Sequence, residues 1–199
     1  MTVSTEEKCT EKTICTPEEF DYKIEIATQT LERNIGFVTN CDNKASIMLA
    51  AIGVLLTIIF TNEGLKEISN IIDSCINAKT FCSILYLMCF VLATFIMAVG
   101  TFNLGSVLVA KTSEVANGLD EVHSRIFFSG IRKNRDFISY RSKFYSMEQK
   151  ELLDELIAQI YINADIATQK YKKYNLGLKC TLIGFLIFII VFLIGIYLY

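Results

Sequence analysis

Charged and apolar positions divide the chain into three long uncharged runs separated by polar segments. The runs extend from Ala45 to Asn62 (18 residues), from Thr80 to Ala110 (31 residues) and from Cys180 to Tyr199 (20 residues). A helix rises about 1.5 Å per residue, so about 20 residues cross the roughly 30 Å of hydrocarbon in a bilayer. The pattern therefore predicts three transmembrane helices.

The N-terminal segment predicts a tail followed by a helix. Residues 1 to 15 are polar and acidic without an apolar period, and we expect them to be disordered. Thr16-Pro17-Glu18-Glu19 then combines an N-cap hydroxyl with a proline in the first helical position. Apolar residues recur behind it at helical spacing, at Phe20, Ile24, Ala27, Leu31, Ile35 and Val38. We expect an amphipathic helix over residues 16 to 44 that continues into the first transmembrane helix.

The second run becomes more polar toward its C-terminal end, from Gly100 to Ser106. We expect its helix to leave the membrane there and to continue toward a C-cap at Gly118. The pattern from Asp120 to Tyr145 is less regular.

Ser146-Met-Glu-Gln149 has the spacing of a capping box and predicts the start of another helix. This helix leads toward the third run, with Asn175-Leu176-Gly177 as its only expected kink. Its apolar face consists of Leu152, Leu153, Leu156, Ile157, Ile160, Ala164 and Ala167. Its acidic residues are expected on the solvated face, and they are Glu151, Asp154, Glu155 and Asp165.

Lysine and arginine are distributed unequally between the connections. The connection from Thr61 to Lys79 holds two, whereas the segment from Lys111 to Lys179 holds twelve. The positive-inside rule places the basic segment and the N-terminal 44 residues in the cytoplasm. The predicted fold is an all-α membrane protein with three transmembrane helices and a small helical cytoplasmic module. Its parts are helices at 45–62, 80–110 and 180–199, an external connection at 63–79, and a module built from 16–44 and 111–179.

Composition argues against a metal site and against nucleophilic catalysis. The formal net charge is −2, and the seven cysteines form no CxxC pair and have only His123 to accompany them. Free thiols then act as small apolar residues, and no metal site is predicted. The chain also lacks a phosphate loop, HExxH and GxSxG. We expect no catalytic residues, and an enzyme is the least favoured class.

Residues 125 to 143 hold six basic side chains against a single acid, Asp136, with aromatic residues between them. Such a cluster can bind a phosphate and stack on a base. It is also typical of a positive belt that lies against anionic lipid headgroups. Composition favours the belt.

Asp42 and Lys44 stand at the start of the first run. A lysine in this position commonly extends its ammonium group to the headgroups, whereas an aspartate so close to hydrocarbon needs a partner. Either the two mark a membrane boundary, or Asp42 pairs with a cation of the central segment and acts as a gate or latch.

Three groups of residues together resemble the Pycsar membrane effectors, the PycTM family. They are Asp42-Asn-Lys44-Ala45 before the first span, Arg125-Ile-Phe127-Phe128-Ser-Gly130 after the second, and Gln159-Ile-Tyr-Ile-Asn163 with Ala167-Thr-Gln-Lys170-Tyr171 before the third. The resemblance covers about residues 20 to 199, including the order of the spans.

The resemblance implies a role in bacterial anti-phage defence. A companion pyrimidine nucleotide cyclase makes a cyclic pyrimidine mononucleotide, cCMP or cUMP, and the effector responds by impairing the inner membrane, so the infected cell stops growing. It implies a multi-pass protein of that membrane, in contact with lipid, with no cofactor and no nucleic-acid partner. Because three spans cannot enclose a pore, we also expect a homo-oligomer.

The hypothesis that follows is a ligand-gated effector. Its candidate ligand-binding residues are Arg125, Arg132, Arg135, Arg141, Lys143 and Lys170, and its candidate latch residues are Asp42 and Lys44. The alternative, from another class, is a membrane-anchored scaffold that binds a partner protein through its cytoplasmic helices.

Overall fold

The computed structural model describes residues 17–109 and 124–198, and all regular elements in these ranges are helices. The predictions for the tail of residues 1 to 15, for Thr16 and for the C-cap at Gly118 lie outside them. The expected continuation of the second span's helix toward Gly118 is wrong at its first step, because that helix ends at Leu108 and the backbone of Val109 is extended. Three helices are long and apolar enough to cross a membrane, which confirms the predicted all-α, three-span protein. In chain order the helices are α1 (Pro17–Ile59), α2 (Asn62–Ala78), α3 (Phe81–Leu108), α4 (Phe128–Arg132), α5 (Phe137–Tyr145) and α6 (Gln149–Leu198).

α1 joins the N-terminal segment to the first span without a break, as the apolar period predicted. It begins at Pro17, where a missing amide N–H costs no hydrogen bond. Glu18 and Glu19 lie in its first turn, next to the positive end of the helix dipole. Lys23 Nζ donates to Glu19 Oε1 at 2.7 Å one turn later. These local features fix where the helix starts.

The connection between the first two spans is itself a helix, α2, which the hydropathy pattern did not predict. The Thr61 hydroxyl caps its N-terminus by accepting from the Gly64 N–H at 3.2 Å. Lys79 ends it in the left-handed conformation, with φ of 47°. α2 packs on α3, and its buried Ile71 lies beside Gly195 of α6.

The Ser146 capping box is wrong, because Ser146 ends α5 and does not begin α6. Its hydroxyl donates to the Lys143 carbonyl at 3.1 Å. α6 starts at Gln149, and the backbone N–H of Glu148 donates to Glu151 Oε2 at 3.1 Å. That bond is the reciprocal half of a capping box placed two residues later. From there α6 runs for 50 residues and stays helical through Asn175-Leu176-Gly177.

The described residues form two compact units. Unit 1 contains residues 17–32 and 124–161, and unit 2 contains residues 33–109 and 162–198. The most apolar parts of α1, α3 and α6 therefore belong to unit 2.

Within unit 2, α3 and α6 pack along an antiparallel seam. Leu104 lies against Gly177, and Met97 lies against Gly184. Farther along, the Tyr86 hydroxyl donates to the Val191 carbonyl at 3.0 Å. Along the seam, residue numbers decrease on α3 as they increase on α6, so the two helices run in opposite directions.

Small residues allow the close approach of these two helices. A Cβ added at Gly184 would lie 2.6 Å from the Met97 backbone nitrogen, and one at Gly100 would overlap the backbone of Thr181. Because lipid chains are as apolar as the side chains, spans associate mainly through tight van der Waals packing. The glycines on the seam provide that packing.

Candidate functional site

The basic segment folds into two short helices, α4 and α5, whose ends are capped by their own polar residues. Asp136 Oδ1 accepts from the Ser139 N–H at 2.7 Å and starts α5. Asn134 Nδ2 donates to the carbonyl of Ile131 at 3.0 Å at the end of α4, and its Oδ1 accepts from Lys143 Nζ at 2.9 Å. Lys143 therefore supports the turn between the two helices.

Arg132 and Arg135 line a cleft of about 380 Å³ formed by α4, α5 and the turn between them, which we call the arginine cleft. The rings of Phe128 and Phe137 form part of its wall and are 64% and 71% exposed, respectively. Among the described residues, no acid forms an ion pair with either arginine, and the nearby Asp136 caps α5. Two available guanidinium groups beside exposed rings suit a flat anion.

Arg125 has a different position from the other basic residues of the segment. Its Nε lies 3.0 Å from Glu155 Oε1, and its Nη2 lies 3.0 Å from Glu151 Oε2. Glu155 also accepts from the Arg125 backbone N–H at 2.7 Å and from the Ser124 hydroxyl at 3.1 Å. We call this set the Glu155 clamp, and it holds the chain before α4 against α6.

Hydrogen bonds and neighbouring charges favour the ionised forms of Arg125 and Glu151. Burial by itself lowers the pKa of Arg125, but the hydrogen bonds and charges of Glu155 and Glu151 outweigh it, and the pKa is raised. The pKa of Glu151 is lowered, first by the hydrogen bond from the Glu148 backbone and then by Arg125. In this structure Arg125 is thus committed to two carboxylates, and a ligand would have to compete with both.

Glu155 is buried, so its predicted position on the solvated face of α6 is wrong. Its clamp partner Ser124 and the hydroxyl of Tyr140, which donates to the Arg125 carbonyl at 3.0 Å, were not recognised either. One signal was available. Glu155 and Gln159 lie one turn apart at the edge of the apolar face of α6, and both are buried.

In unit 2, Lys170 of α6 and Asp42 of α1 form an ion pair, with 2.6 Å between Nζ and Oδ1. The Lys170 side chain is 6% exposed, whereas that of Asp42 is 34% exposed. The sequence suggested Asp42 as a latch residue and Lys170 as a ligand contact. The structure brings the two together, so the Lys170 ammonium is engaged by Asp42.

The pair lies beside a small core made of Cys41, Ala45 and Val107, against which Tyr171 and Tyr174 pack. Burial, reinforced by the Asp42 carboxylate, raises the pKa of the Cys41 thiol. The thiol is therefore protonated at neutral pH and acts as a packing residue. Lys44 and Arg141 are exposed and form no ion pair within the described residues.

Fold and site together define a helical membrane protein of three spans, whose unit 1 carries a cleft lined by two arginines. Its sequence matches the model of the PycTM family, described as the Pycsar effector protein domain, over residues 26–196. The chain belongs to this family, as its sequence motifs indicated.

Two relatives have similar lengths. The chain is 29% identical over 177 residues to the Pycsar effector protein GmPycTM of Gulbenkiania mobilis. The matched region covers 83% of this chain and 89% of that protein. The chain is 26% identical over 149 residues to the Pycsar effector protein EcPycTM of Escherichia coli, covering 75% and 77%, respectively. No solved structure matches the chain significantly. Family membership makes the protein a Pycsar anti-phage membrane effector.

Proposed function

We propose that a cyclic pyrimidine mononucleotide, cCMP or cUMP, binds in the arginine cleft and switches the effector to a state that impairs the inner membrane. The infected cell then stops growing before phage spread. One observation carries this proposal. Arg132 and Arg135 hold their charges without an ion-pair partner among the described residues, in a cleft walled by exposed aromatic rings.

The chemistry of the cleft suits this ligand. The cyclic phosphate carries one negative charge, which a guanidinium can bind through paired N–H donors. The pyrimidine is flat, and stacking on an aromatic ring contributes about 1–3 kcal/mol per base. The volume of about 380 Å³ lies within the usual range of small-molecule sites.

The ion pair of Asp42 and Lys170 is the proposed switch element in the membrane-spanning unit. A ligand moves a two-state equilibrium only by the difference in its affinity for the two states, and a sharp switch needs about 5.5 kcal/mol. Lys170 is almost fully buried, and a buried ammonium group that loses its partner is strongly unfavourable, so a state that separates Lys170 from Asp42 must give the ammonium group water or another anion. Opening of this pair is therefore our proposed membrane response.

The remaining assignments follow from charge and from the resemblance. We place the N-terminus and residues 111 to 179 in the bacterial cytoplasm and the protein in the inner membrane. A companion cyclase supplies the ligand, several copies assemble, and the protein itself catalyses no reaction. The protein contacts membrane lipid and does not bind nucleic acid.

The test is direct binding of cCMP and cUMP to the purified protein in detergent by calorimetry. Arg132→Glu and Arg135→Glu, combined, should lower affinity at least about tenfold, because repulsion replaces charge-assisted hydrogen bonds. Lys133→Glu is the matched control. It is exposed in the same turn and does not line the cleft.

Two results would contradict the proposal. Unchanged affinity in the double variant would favour the interpretation of residues 125 to 143 as a lipid-facing belt. Absence of binding of any cyclic mononucleotide to the unaltered protein would favour the membrane-anchored scaffold.

A further inference from the structure

The outward side of α5 is apolar although it lies outside the three spans. Ile138 and Tyr145 are 74% and 80% exposed, and Phe144 is about half exposed. Arg141 lies between them on the same side of the helix and is also exposed. We call these four residues the α5 outer face. None of the four lines the arginine cleft, so Arg141, a ligand-binding candidate from the sequence, lies outside that cleft.

Such a face is costly in water and has the composition of an interface. Contiguous exposed apolar side chains on a soluble surface mark interaction sites. Aromatic residues and arginine are the types most enriched in the centres of protein interfaces. A fitting partner combines apolar contact with a carboxylate that faces Arg141.

The same unit carries a surface of that kind on α1. Glu18, Tyr22, Glu25 and Glu32 are exposed and follow one another at intervals of four, three and seven residues, so they share one stripe of the helix. We call them the α1 acidic face. Tyr22 provides an exposed ring between the acids, and none of the three glutamates forms an ion pair within the described part of the chain.

We propose that the α5 outer face of one copy docks on the α1 acidic face of a second copy. Both faces are exposed within one chain, so neither covers the other there. They are complementary in charge, and each supplies aromatic surface. Two different patches that meet make a head-to-tail contact, which closes into a ring when the rotation between copies allows it. A ring of copies can enclose a path through the membrane, which three spans alone cannot do.

Cysteine cross-linking of the full-length protein tests the arrangement. In a background without the seven native cysteines, Glu25→Cys is placed in one tagged copy and Tyr145→Cys in a second, differently tagged copy. Co-expressed in membranes, the two should form a disulfide-linked dimer on mild oxidation. Glu25→Cys with Lys150→Cys, an exposed position on α6, should not. Efficient cross-linking of Tyr145→Cys copies with each other alone would overturn the proposal, because it indicates a symmetric contact.

Charge reversal provides an independent test by light scattering in detergent at low salt. Arg141→Glu and Glu25→Lys should each weaken association about tenfold, and the two together in one chain should restore it. Restoration also shows that a chain carrying both substitutions still folds. Lys150→Glu is the control and should change nothing.

Lipid is the competing occupant of the α5 outer face. If Arg141→Glu alters the association between copies only in vesicles that contain anionic lipid, and not in vesicles of phosphatidylcholine alone, the α5 outer face binds headgroups and the proposal fails. None of these measurements uses a nucleotide. A failed interface with intact cCMP or cUMP binding therefore leaves the proposed function standing, and the reverse also holds.

Discussion

At the residue scale, the pair of Asp42 and Lys170 shows how one contact can couple two helices. The residues are 128 positions apart, and the lysine is almost fully buried while the aspartate keeps some access to water. A buried ammonium group without a partner is strongly unfavourable. Each residue is therefore tolerated at its position largely because of the other.

Asp42→Asn removes the charge at nearly constant shape and should destabilise the contact between α1 and α6 by about 3 kcal/mol. Cys41 adjoins Asp42 and is fully buried, so its thiol reports opening. We expect maleimide to label Cys41 faster in the variant, and cells that express it to show toxicity without ligand.

A double-variant cycle controls this prediction. Asp42→Asn with Lys170→Gln removes both charges, so its cost should be smaller than that of Asp42→Asn alone. If labelling and growth of Asp42→Asn match those of the unaltered protein, Asp42 is only a boundary residue. If the variant labels faster but no longer responds to ligand, the pair belongs to the ligand-competent state.

At the scale of elements, the glycines of α3 and α6 determine how closely the two spans approach. Gly100 of α3 has no room for a side chain, whereas a Cβ at Gly105 of the same helix meets no atom within 4 Å. These two positions separate the effect of packing from that of helix propensity, because both changes put alanine in a helix.

Gly100→Ala should destabilise the protein by about 1–3 kcal/mol, as overpacking does in tightly packed interiors. Gly105→Ala should be neutral or slightly stabilising. Thermal loss of helix in detergent, followed by far-ultraviolet circular dichroism, compares the two. Equal melting curves would show that α3 and α6 pack less tightly along the seam than they do in the structure.

The Glu155 clamp illustrates the same scale in unit 1. Three donors from Ser124 and Arg125 converge on a single carboxylate of α6, and this fixes where the basic segment begins. Arg132 ends α4, and Arg135 lies in the turn before α5. The clamp holds the chain before α4, and the Asp136 cap fixes the start of α5. A rigid support of this kind is what a binding site needs.

At the scale of the whole molecule, the asymmetry of Lys and Arg predicts the topology. Residues 62 to 78 should face out, and the start of α6 should face in. Asn70→Cys and Lys150→Cys, each exposed, serve as reporters in a background without native cysteines. An impermeant thiol reagent applied to intact spheroplasts should label position 70 only. Labelling of position 150 with position 70 protected would invert the topology.

The sequence alone determined the spans, the long first helix and the family. Each of these depends on a sum over many residues, such as transfer of apolar side chains into lipid or the period of one helical face, and such sums tolerate local error. A helix boundary depends instead on single side chains. The Ser146 box failed because one hydroxyl can serve either the helix before it or the helix after it.

The tertiary structure alone decided which charges are committed and which are available. Arg125, Lys143 and Lys170 have partners, whereas Arg132 and Arg135 do not pair with an acid within the described residues. In the sequence all five are equivalent cations of a basic stretch or its continuation. Their difference depends on the rotation of each helix about its axis and on the register between helices. A shift of one residue turns a side chain by about 100°, so pairing over 128 positions requires the packed fold.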